Sequence, residues 1–104
     1  MVYKVFTTEE FNKLFSKLDG NIQNRIKKEI DQLEINPNVG KPLGYSFFRE
    51  KKVDVYCIYY LIYEEYLVVF IVTLSKKKDQ QKAIDTIKNH IPFYREEIKK
   101  KLNL

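Results

Sequence analysis

Six cations are grouped around two apolar runs in residues 47–81, FFREKKVDVYCIYYLIYEEYLVVFIVTLSKKKDQQ. Arg49, Lys51 and Lys52 precede the first run, and Lys76, Lys77 and Lys78 follow the second. A strand pair with positive charge at its margins can hold a phosphate backbone without a metal. On RNA the matching chemistry is attack of the 2′-hydroxyl on the adjacent phosphate. Positioned cations stabilise the phosphorane, and a Lys of depressed pKa or a Tyr moves the protons.

Each of these groups also has a plainer reading. Lys76–Lys78 is equally a solvated turn after a strand, and Lys51 with Lys52 a solubilising hairpin turn. Arg49 either faces a concave sheet surface or only decorates it. Tyr56, Tyr59, Tyr60 and Tyr63 pack a sheet or stack on bases. Arg25, Lys27 and Lys28 read as an exposed helix face, and Lys99–Lys101 as a basic helix end favourable to the macrodipole.

Other chemistries lack their residues. The sole histidine, His90, sits in a helical pattern beside Pro92 and reads as solvent-facing. With one His and one Cys, zinc is not expected, and neither is any other metal or cofactor. Cys57 reads as a sheet residue. GxxxxGK[ST], GxGxxG and GxSxG are absent, which removes support for nucleotide binding and serine hydrolysis. No pair of carboxylates is spaced for a two-metal nuclease.

The chain has 104 residues, enough for one domain with one modest core. A net charge of +5 favours an acidic partner such as nucleic acid. A single cysteine permits no internal disulfide and fits a reducing cytosol. The opening MVYKVFTTEEF has no long apolar segment, so neither a signal peptide nor a membrane association is expected.

The elements that must position these groups follow from periodicity. Val2 to Thr7 reads as a strand. Thr7 with Glu10 forms a capping-box pattern, and Phe11, Leu14, Phe15 and Leu18 follow at helical spacing, with Gly20 as the expected stop. A second helix, striped by Ile22, Ile26, Ile30 and Leu33, runs from near Asn21 to Asn36. Residues 36–44, NPNVGKPLG, read as a loop. Strands start near Tyr45, a turn is expected around Lys51 to Asp54, and Val55–Tyr63 alternates. Tyr56, Ile58, Tyr60 and Ile62 take one face of it, and Cys57, Tyr59, Leu61 and Tyr63 the other. Glu64-Glu65 turns the chain into Tyr66–Leu74. Both runs are apolar on both faces, so a central position is expected. Asp79 is a candidate N-cap, Ala83, Ile84, Ile87 and Ile91 form a stripe, and Pro92 interrupts the helix before Phe93 to Leu102. The fold class is α+β in the order β-α-α-β-β-β-α: an N-terminal strand and an antiparallel three-stranded meander packed on a helical hairpin, then a C-terminal helix. Residues 1–104 form one domain, with 79–104 a helical extension.

This order, together with GKPLG and the following FFREKKVDVYCIYYLIYE, resembles the RelE/ParE toxins of type II toxin–antitoxin systems over about residues 1–78. KKDQQKAIDTIKNHI resembles an archaeal-type RelE-like branch. The resemblance implies a cytoplasmic toxin neutralised by a cognate antitoxin in a hetero-oligomer. RelE-like members are mRNA interferases that cleave mRNA on the ribosome and so inhibit translation; ParE-like members inhibit DNA gyrase. In RelE-like endoribonucleases Lys and Arg of the sheet serve, often with a C-terminal Tyr. Arg49 matches the arginine of the first meander strand, Lys51 and Lys52 fall at its turn, and Lys76–Lys78 follow the last strand. The chain departs from the pattern at Tyr56-Cys57, where Tyr-Arg is frequent. After Lys78 it has no tyrosine before Tyr94.

Three readings therefore stand: a metal-independent, ribosome-dependent endoribonuclease, a non-enzymatic inhibitor of a topoisomerase, and an RNA-binding homologue that has lost catalysis. The first leads one to expect Arg49 and the lysines on one concave surface.

Overall fold

The structure is a computed structural model and describes residues 2–104. Strand β1 (Lys4–Thr7) leads into helix α1 (Glu9–Ser16) and helix α2 (Gly20–Ile35). A 3-10 turn at Pro37–Val39 precedes β2 (Lys41–Tyr45), β3 (Phe48–Val53), β4 (Tyr56–Tyr63) and β5 (Val68–Lys76). Helices α3 (Gln80–Asn89) and α4 (Ile91–Lys101) complete the chain. The sheet order is β1-β5-β4-β3-β2. β2 to β5 form an antiparallel meander, and β1 adds in parallel to β5.

The two faces of β4 divide as its alternation predicts. Ile58, Tyr60 and Ile62 pack with Phe11, Ile26 and Leu33 beneath α1 and α2. Cys57, Tyr59, Leu61 and Tyr63 pack with Ile84, Ile87 and Ile98 beneath α3 and α4. Helices cover both faces, which is why β4 and β5 are apolar on both sides.

Several boundaries differ from those read in the sequence. Residues 36–44 are not all loop: Lys41–Tyr45 is an edge strand, where Pro42 is tolerated. The turn expected at Lys51–Asp54 falls later. Lys51 and Lys52 lie within β3, and Asp54, with φ of 57°, takes the left-handed turn position. α1 is capped by Thr8, not Thr7; its hydroxyl accepts from Phe11 N at 3.0 Å. Gly20 opens α2 instead of ending α1, because the Asp19 carboxylate accepts from Ile22 N and starts the new helix. Asp79 precedes α3 but makes no side-chain cap.

Two features of the meander set the site. β5 carries a bulge: Tyr60 pairs Ile71 but Tyr59 pairs Thr73, leaving Val72 as the extra residue. The bulge turns Thr73 and Ser75 toward the α3 face. On the α1–α2 side, the Tyr60 hydroxyl donates to Pro37 O at 2.5 Å and accepts from Gly40 N at 3.1 Å, pinning the turn before β2. A Cβ at Gly40 would lie 2.6 Å from Glu50 O and would also meet the Tyr60 hydroxyl. Gly40→Ala is expected to lower the unfolding free energy by about 1–3 kcal/mol, read as a reduced urea midpoint at unchanged m-value.

Candidate functional site

The register builds two cross-strand rows on the α3 face. Lys52 of β3 lies opposite Cys57 of β4, which lies opposite Ser75 of β5. One pleat further in, Glu50, Tyr59 and Thr73 form the second row. Lys77 joins the outer row from the turn after β5, where its N–H donates to Val55 O at 3.1 Å. The Tyr59 hydroxyl and Ser75 Oγ are 2.8 Å apart. Gln80, the first residue of α3, donates from Nε2 to Glu50 Oε2 at 2.6 Å. Ser75 also borders a cleft of 570 Å³ between the end of β5, α3 and α4, with Lys82, His90 and Phe93 on its walls.

The electrostatics are mixed. Burial pushes the Cys57 thiol above its ordinary value, and Glu50 adds to this. The Tyr59 phenol, Lys52 and Lys77 pull it back. Cys57 is thus a buried, protonated thiol beside two cations, not a nucleophile. Burial raises Tyr59 to about 12, offset in part by its bond to Ser75. Burial likewise raises Tyr63 to about 12, although Arg95 stacks over its ring.

The six cations singled out in the sequence do not share one surface. Lys52 and Lys77 flank the rows described above. Arg49 and Lys51 alternate with Lys52 along β3 and point toward α2. Arg49 donates from Nε to Ser46 O at 2.8 Å and from one terminal nitrogen to Asn38 O and Gly40 O at 3.1 and 2.8 Å. Its guanidinium clasps three carbonyls of the segment around β2. Lys51 Nζ lies 3.5 Å from Glu29 Oε2 of α2. Lys76 pairs across from Tyr56 and is exposed, as is Lys78. Glu50, Ser75 and Gln80 escape the sequence reading, and Tyr59 enters it only as sheet packing or a base-stacking ring. The alternation Glu50-x-Lys52 against Cys57-x-Tyr59 was available to find two of them; the bulge that brings in Ser75 leaves no mark in a run of apolar residues. Among the described residues no group of three His, Cys, Asp or Glu side chains could hold a metal ion.

A protein-family model described as the ParE toxin of type II toxin–antitoxin systems matches residues 5–81. The chain belongs to the RelE/ParE toxins. Solved structures of this superfamily share its fold. A double mutant of the Escherichia coli toxin RelE in the free state aligns at 21% identity and TM-score 0.71, over 83% of this chain and 93% of that one. The toxin of the intact E. coli RelBE toxin–antitoxin complex aligns at 23% identity and TM-score 0.65, over 71% and 95%. The archaeal RelE–RelB complex from Pyrococcus horikoshii gives 20% identity and TM-score 0.65, over 74% and 97%. Comparison with curated protein sequences finds no match. No helix among the described residues of this RelE/ParE chain is long and apolar enough to cross a membrane.

The raised phenols make a pH prediction. Tyr59 holds its proton more tightly in the fold, with a value of about 12 against 10.0 for a free tyrosine. Below pH 10 both states are protonated and its contribution to stability is complete. Between about pH 10 and 12 the unfolded chain loses the proton first, so stability falls as pH rises. Tyr59→Phe removes this term. Urea titrations across that window should show a shallower alkaline decline in the variant than in the parent.

Proposed function

We propose that this toxin inhibits translation as a metal-independent, ribosome-dependent endoribonuclease acting on mRNA, and that a cognate antitoxin holds it inactive. The observation that carries the reading is the placing of Lys52 and Lys77, from different elements, around a row that ends in the Ser75 hydroxyl. Two cations at that spot can take a phosphate between them and stabilise the charge that develops as the 2′-hydroxyl attacks. The proton of the attacking 2′-hydroxyl passes to water at this exposed edge, and the leaving 5′-oxygen needs a donor near neutral pH. Tyr59 stays protonated there and touches Ser75, which is half-exposed. The pair offers a route for a proton from the phenol, through the hydroxyl, to the leaving 5′-oxygen. Lys52 and Lys77 act here through charge. Lys76 and Lys78 extend the cationic rim along the message. Arg49 and Lys51 act at a distance, by holding β2 and α2 against the sheet.

The antitoxin reading rests on the family and on relatives crystallised with RelB. A partner that neutralises this surface would bring acidic groups to Lys52 and Lys76–Lys78, and would bind as a segment ordered on contact.

A second reading, inhibition of DNA gyrase or another protein without chemistry, is favoured by a separate observation. The one arginine expected at the site is bound to backbone carbonyls, and a buried thiol stands at Cys57. Induced expression with mapping of mRNA ends separates the two. The endoribonuclease reading expects new cuts within translated codons, reduced about 10²–10³-fold in a Lys52→Ala, Lys77→Ala double variant that stays folded. Growth arrest with intact messages would transfer the assignment to a protein target.

A further inference from the structure

We infer that Glu50 reads a base, and that it selects a guanine next to the phosphate held by Lys52 and Lys77. The inference rests on the RNA reading above. Glu50 is 2% exposed, yet only one of its oxygens has a partner: Oε2 accepts from Gln80, and the buried Oε1 has none. A buried carboxylate oxygen without a donor is costly, and an absent ligand is one reason for it to persist. The carboxylate lies two residues from Lys52 on the same face, about 7 Å along the strand. That is the neighbourhood of the base attached to the bound phosphate, not of the phosphate itself.

An ionised carboxylate only accepts hydrogen bonds, so it rejects phosphate oxygens and carbonyl edges. Guanine presents two donors side by side, N1–H and the 2-amino group, which match the two carboxylate oxygens. Adenine and cytosine set one amine beside a ring acceptor, and uracil sets one N–H between two carbonyls. Single-stranded RNA is commonly read on this edge. The Gln80 amide stands where one of the two guanine donors would sit. Glu50 also lines a depression of 260 Å³ with Gly40, Lys41 and Lys52. Lys41 lies opposite Glu50 in the β2–β3 register and is exposed. Both Lys41 and Gln80 are long, unbranched side chains that can swing aside for a base. With Lys41, Lys52 and Lys77 around it, the carboxylate leaves the site positive overall, so the phosphate is still attracted.

The alternative is that Glu50 only fastens α3 to the sheet. Cutting is measured on ribosomes programmed with messages that carry guanosine or inosine at the nucleotides flanking the cut; inosine lacks the 2-amino group. The wild-type chain is expected to cut the guanosine message about tenfold faster or more, and Glu50→Gln to bring that ratio near one. Gln80→Ala, which removes the tether and keeps the carboxylate, should retain the preference. Equal rates on both messages with the wild type, or a ratio preserved in Glu50→Gln, overturn the inference and leave the endoribonuclease reading in place. Absence of cutting on every message by the wild type overturns both.

Discussion

A single hydroxyl, that of Thr8, joins the first helix to the bulged strand. It accepts from Phe11 N at the start of α1 and donates to Val72 O at 2.6 Å. Val72 is the residue with no opposite number in the β4–β5 ladder, so its carbonyl needs a partner from elsewhere. The Thr8 N–H adds a bond to Ile71 O at 3.1 Å. The bulge changes the phase of β5: Val69 and Ile71 face α1 and α2 before it, as Leu74 does after it, although Leu74 stands an odd number of positions, three, beyond Ile71. Thr73 and Ser75 consequently face α3, and the Tyr59–Ser75 contact exists because of that shift. The helix cap, the strand irregularity and the polar row are one arrangement.

Below the sheet a second arrangement serves β2. The Tyr60 hydroxyl and the Arg49 guanidinium together bind Pro37 O, Asn38 O, Gly40 N and Gly40 O. A short edge strand with a proline has few ladder bonds of its own. Side chains from the strand interior supply the missing ones. Arginine is suited to this because its rigid planar fork reaches carbonyls in fixed, separate directions, whereas a lysine donates from a single point. The same residue types that bind phosphate in one setting hold backbone in another, and burial decides which. Lys52 is exposed and free of a carboxylate partner among the described residues, whereas Arg49 is half-buried and committed.

Periodicity is legible in this sequence wherever a side chain's partner lies on the regular lattice of a strand or helix. The two faces of β4, the stripes of α2 and α3, and the break at Pro92 all follow from counting residues. The superfamily is legible by a different route, the resemblance of GKPLG and FFREKKVDVYCIYYLIYE in this order of elements. What was hidden depends on contacts distant in sequence. Residues 41–44 read as loop because Pro42 and Gly44 mask a strand that exists only through its pairing with β3. Lys51 and Lys52 read as a turn because charge suggests solvent, yet Asp54 supplies the left-handed residue and leaves both lysines extended. Arg49 reads as a ligand because its three carbonyl partners come from a bend in the chain. Gln80 is one polar residue among many in a helix start until the fold sets it over Glu50.

The parallel seam between β1 and β5 has a consequence for how the chain reaches this state. Lys4 pairs with Val68 and Thr7 with Ile71, contacts that span most of the sequence. Strands β2 to β5 are joined by short connections and can zip as neighbours, whereas β1 must wait for β5 and then close a large loop. During synthesis on a ribosome the first strand emerges long before its mate. Until residues 68–71 leave the exit tunnel, the Thr8 anchor has nothing to hold and the bulge has no support. The polar row therefore assembles late, after nearly the whole chain is available.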